Sequence, residues 1–184
     1  TAVAWAVALR NHHGPTALAL TRQKVPQIER QDFESVKDLE KGAYIIYEPE
    51  GGKIDVILIA TGSEVHIALE SAKALAEKGI AARVVSFPSH ELFENQPREY
   101  KDKILPPNIL NRVTIEAASP MSWYRYAGTY GLVIGLDRFG ASAPYKVIAK
   151  ELGFTSEAVT ERVLNYLDER KLCSGKNADG KAIS

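Results

Sequence analysis

The residue of this chain best placed for chemistry is an arginine that closes an apolar run. Residues 14–20 read Gly-Pro-Thr-Ala-Leu-Ala-Leu, and Thr21-Arg22-Gln23 follow. The run predicts a short buried strand with Arg22 at its carboxyl end, which is where open α/β sheets bind ligands. A guanidinium held there can grip phosphate oxygens through two parallel hydrogen bonds. The competing reading is a structural salt bridge.

Four other clusters carry weaker chemistry. Thr61-Gly62-Ser63-Glu64 lies between a predicted strand and a predicted helix, where backbone amides can hold a phosphate. It has one glycine and no lysine, and Glu64 would repel an anion, so a tight turn with Thr61 or Ser63 as helix N-cap is the preferred reading. Gly140-Ala141-Ser142-Ala143-Pro144 superficially matches a nucleophile elbow, but Pro144 stands where the sharp turn needs glycine, and no histidine follows. His90-Glu91 is half of a zinc-protease signature, with Glu94 where the second histidine belongs. His12, His13 and His66 are scattered, which leaves no metal-ligand pattern. Trp123, Tyr124 and Tyr126 flank Arg125. A helix cannot bury all three rings on one face, so core packing competes with contact to another domain or subunit.

The elements that must position these residues follow from periodicity. Residues 1–11 are apolar all round, the mark of a helix buried on every side. So little chain surrounds it that the sequence is expected to open inside a domain. Gly14-Pro15 is the predicted stop of that helix. Residues 24–41 are polar, with at best one short helix over 33–39, and read as a linker. Strands are then predicted at 43–47, 55–60, 83–87, 112–117 and 132–136. Helices are predicted after Ser63 to Gly79, over 91–100, at 122–126, from Pro144 to Gly153, and from a Ser156 cap to about Leu172. This alternation predicts an α/β fold, a three-layer α/β/α arrangement around a mostly parallel sheet. Residues 43–47 would add one antiparallel edge strand. Residues 173–184 read as a disordered tail.

Composition narrows the classes. Of 184 residues, 45% are apolar, and 23 acidic side chains balance 23 basic ones. No basic excess favours nucleic acid. The single cysteine, Cys173, excludes an internal disulfide. No run has the length of a membrane span or the layout of a secretion signal, so a soluble cytoplasmic protein is expected.

Six segments, in order, resemble the carboxyl-terminal third of a transketolase. They are 14–16 leading to Leu20-Thr21-Arg22-Gln23, 56–65, Arg83-Val84-Val85-Ser86, Glu91-Leu92-Phe93, Ile115-Glu116-Ala117, and 139–144. The resemblance runs from Thr1 to about Leu167. It implies a homodimeric enzyme of the pentose phosphate pathway that moves a two-carbon ketol unit between sugar phosphates. Thiamine diphosphate and Mg2+ (or Ca2+) would be bound by regions absent from this chain. Residues 1–23 would end the pyrimidine-binding domain, 24–41 would connect, and 42–172 would form the C-terminal domain. Arg22 matches the family arginine that contacts the sugar phosphate.

The resemblance assigns no catalytic, cofactor or metal residue to this chain, and His12 and His13 do not fall in the family's histidine motif. It implies a scaffold that is inactive alone, with residues 123–126 as an interface candidate. Two alternatives remain. One is a stand-alone α/β binding or regulatory domain with a crevice lined by 61–64, Ser119 and 137–142. The other is the corresponding part of a deoxyxylulose phosphate synthase or 2-oxo acid dehydrogenase component.

Overall fold

The computed structural model describes residues 1–28 and 37–173. Among them five strands form one sheet in the order β1-β3-β2-β4-β5. These are β1 (Tyr44–Tyr47), β2 (Val56–Ala60), β3 (Ala82–Ser86), β4 (Arg112–Ile115) and β5 (Leu132–Ile134). The helices are α1 (Ala2–Arg10), α2 (Glu64–Ala76), α3 (His90–Glu94), α4 (Arg98–Ile104), α5 (Tyr124–Ala127), α6 (Tyr145–Glu151) and α7 (Ser156–Cys173).

All pairs are parallel except β1 with β3. That antiparallel edge strand carries a register shift between Ile45 and Tyr47, which twists the edge. β2 and β3 are buried along their whole length, as strands covered on both faces must be. Alternation along β2 sends Val56, Leu58 and Ala60 into one core with α2 and α7. It sends Ile57 and Ile59 into a second core with Phe87, Phe93, Ile104, Trp123 and Tyr126, under α3, α4 and α5. The three-layer expectation therefore holds.

Several local expectations do not. Residues 16–20 form no strand, and Ala17 and Leu20 are exposed. An extended segment becomes a strand only when a neighbour takes up its backbone groups, and no described strand pairs with this one. Helix α1 has no buried residue, and Trp5 is 54% exposed, because only the 3-10 turn Asp38–Lys41 packs against it. It stops at Arg10, ahead of Gly14-Pro15. The Asn11 backbone there turns extended, and its side chain donates to Thr16 Oγ1 at 2.9 Å.

The helix expected over 91–100 is two helices, since Pro97 at the N-cap of α4 removes a donor that a continuous helix needs. Ser63 precedes α2 without capping it, and Thr155 rather than Ser156 caps α7, accepting from the Ala158 amide at 3.2 Å. The helix expected over 33–39 falls largely on residues outside those described, as does the tail from 174 onward.

Candidate functional site

Strand order creates the site. From β2 the chain moves to β3 on one side, then crosses back over β2 to β4 on the other. The carboxyl ends of β2 and β4 thus face each other where the chain departs in opposite directions, a topological switch point. Past β2, Gly62 takes φ +56°, and the Glu64 amide donates to the Thr61 carbonyl at 3.1 Å. This turn brings Glu64 into the crevice, where it is 6% exposed. Past β4, Glu116 and Ala117 complete the opposite wall.

The sheet fills this crevice with its own groups. Ser63 Oγ donates to Glu64 Oε1 at 2.7 Å, and the Ala117 amide donates to the same carboxyl. Burial nevertheless raises the Glu64 pKa above its ordinary 4.5, and the nearby Glu116 charge adds to that. The Trp123 indole N–H donates to Glu116 Oε2. His90 sits edge-on to Phe87, Trp123 and Tyr126, with ring centroids 4.8–5.1 Å away. Burial lowers its pKa from 6.5, against the pull of Glu116.

Arg22 lies at the rim. The Thr21 methyl group is the atom nearest to where a Cβ on Gly62 would stand, 4.0 Å away. The Gln23 side chain hydrogen-bonds Tyr145, the first residue of α6, and Tyr145 senses the Glu64 carboxyl. Arg22 itself is exposed, and among the described residues no carboxylate pairs with it. The structure thus brings together the 21–23 segment, the 61–64 turn and the start of α6. These residues belong to segments far apart in the chain.

The remaining clusters resolve structurally. Trp123 and Tyr126, three positions apart, are 1% and 5% exposed, whereas Tyr124 faces outward at 59%. Ser142 and Pro144 are exposed, with Pro144 at the N-cap of α6. His12 and His13 are exposed beyond α1. Among the described residues no three His, Cys, Asp or Glu side chains cluster as metal ligands. Two surface cavities, of about 330 and 400 Å3, lie away from the switch point, one beside Glu94 and Arg112 and one between α2 and α7.

Glu116, Gln23 and Tyr145 were not singled out from sequence. Glu116 carried the signal that marked Arg22, a charged residue closing an apolar run. Tyr145 carried none, because its contact with Gln23 spans more than a hundred residues.

Residues 42–155 match the family model described as the transketolase-like TK C-terminal domain. The chain belongs to the transketolase family. The transketolase of Aquifex aeolicus is 50% identical over 161 residues, covering 88% of this chain and 23% of that protein. A Pichia stipitis transketolase solved with sedoheptulose 7-phosphate superposes with a TM-score of 0.81 at 37% identity, covering 92% of this chain and 24% of that one. The Leishmania mexicana transketolase gives 0.80 at 35% identity, covering 98% and 24%. This chain therefore spans about a quarter of the length of the transketolases it matches.

The switch point of this transketolase domain presents two carboxyl side chains, Glu64 and Glu116, which oppose a diphosphate. The residues present do not fit thiamine diphosphate and its metal ion, and no step is derived through that group. No helix among the described residues is long and apolar enough to cross a membrane.

Proposed function

We propose that this chain is the C-terminal part of an enzyme that transfers a two-carbon ketol unit between sugar phosphates. In that cytoplasmic homodimer of the pentose phosphate pathway, thiamine diphosphate and Mg2+ (or Ca2+) are held by regions beyond this chain. Residues 42–172 act as scaffold, 1–23 end the pyrimidine-binding domain, and 24–41 connect the two. Arg22 binds the substrate phosphate. Tyr124 and Met121, 59% and 80% exposed, provide apolar surface for subunit contact.

The observation that carries the role of Arg22 is its exposed guanidinium at the rim of the switch point, with no carboxylate partner among the described residues. An arginine already committed to a salt bridge would have no donors to spare. A phosphate gripped at one end of the sugar leaves the other end free for chemistry and fixes its distance from the reacting carbons.

The test is Arg22→Ala in the intact enzyme. A lost charge-assisted pair costs about 1.5–3 kcal/mol, so KM for ribose 5-phosphate should rise about tenfold or more. KM for unphosphorylated ribose should stay within twofold. Equal rises for both sugars would remove the phosphate role.

A further inference from the structure

Arg22 stands on a segment with no strand ladder to fix it. Residues 16–20 pair with nothing in the sheet, and Leu20 is 66% exposed. An arginine on an untethered segment would surrender much of its binding energy to ordering itself. Two contacts bracket it instead. On one side, the Thr21 methyl group lies against Gly62 at the end of β2, and Thr21 Oγ1 donates to the Gln23 carbonyl at 3.2 Å. On the other side, the Gln23 side chain bonds the Tyr145 hydroxyl. Tyr145 is itself anchored, because it opens α6 directly after Pro144, whose ring fixes the entry at φ −55°.

We propose that Tyr145 is a positioning residue for substrate phosphate binding, which through Gln23 clamps the Arg22 segment onto the carboxyl end of the sheet. The inference rests on the reading that Arg22 holds that phosphate. The C-terminal domain then contributes more than bulk, since the first residue of one of its helices sets where the guanidinium stands. Neither Tyr145 nor Gln23 touches the phosphate in this account. Their effect appears only as the cost of ordering Arg22.

The experiment is Tyr145→Phe in the intact enzyme, assayed with ribose 5-phosphate and with ribose. The ring remains and one hydrogen bond goes, so KM for ribose 5-phosphate should rise about three- to tenfold. The kcat should stay within twofold, and KM for ribose and the thermal midpoint should be unchanged. Gln23→Met should reproduce this effect, and the double variant should be no worse than either single one. Placed on Arg22→Ala, Tyr145→Phe should add nothing.

An unchanged KM for ribose 5-phosphate in Tyr145→Phe, while Arg22→Ala raises it, overturns the clamp and leaves the arginine's role standing. Additive effects on the Arg22→Ala background, or a rise for both sugars, also overturn the clamp. Equal rises for both sugars in Arg22→Ala itself overturn the underlying reading, and the clamp falls with it.

Discussion

Glu64 shows how far a single residue can depart from what its position in the sequence suggests. A glutamate in the first turn of a helix ordinarily faces water and favours the helix dipole. Here the turn at Gly62 carries it into the switch point, and burial makes its ionised form costly. The consequence for stability has a definite sign. Because the folded pKa lies above the ordinary 4.5, the fold holds the proton more tightly than the unfolded chain does. Stability from this group is complete below pH 4.5 and is lost as pH rises through the folded value. Glu64→Gln keeps the shape and abolishes the titration. Urea unfolding from pH 4 upward should therefore show the wild type falling steadily behind this variant, then running parallel to it. A gap that does not change with pH would contradict the burial argument.

Among the elements, the strands were the most legible. Runs such as Val56-Ile57-Leu58-Ile59-Ala60 are apolar without alternation, which suits only a strand buried on both faces, and β2 is that. The strand expected at 16–20 failed because β pairing depends on a neighbour that no local pattern encodes. The break between α3 and α4 was written in Pro97, a residue that ends helices at the position before it. Gly42 is a different case, since its role is set by tertiary contact.

Gly42 has φ +84°, and a Cβ there would come within 2.2 Å of the Phe93 amide nitrogen and 2.5 Å of the Ser89 carbonyl oxygen. Both are backbone atoms, held by the Ser89 amide donating to the Gly42 carbonyl at 3.0 Å. Strained backbone of this kind costs about 1–3 kcal/mol before the clash is counted. Gly42→Ala should lower the urea midpoint by at least that equivalent, whereas Gly79→Ala, with open space around it, should cost less. Equal losses at the two sites would mean that the close approach beside Phe93 is not rigid.

For the whole molecule, the division of labour follows from where the charges sit. The switch point of the sheet is occupied by Glu64, Glu116, Ser63 and the ring of Trp123, so a position that often binds ligands is here closed by protein groups. Arg22, at its rim, is the one exposed cation that the sequence marked and the geometry places beside it. Its chemical type and its place after an apolar run could be read from the chain. The turn at Gly62 and the hydroxyl of Tyr145, which determine where it stands, lie in distant segments and emerge only on folding.

The central claim is that this chain supports ketol transfer but holds none of its reacting groups. The most direct measurement is turnover by the isolated chain with xylulose 5-phosphate, ribose 5-phosphate, thiamine diphosphate and Mg2+. The account predicts no ketol transfer above the protein-free rate. Turnover that rises in proportion to the amount of this chain would contradict it.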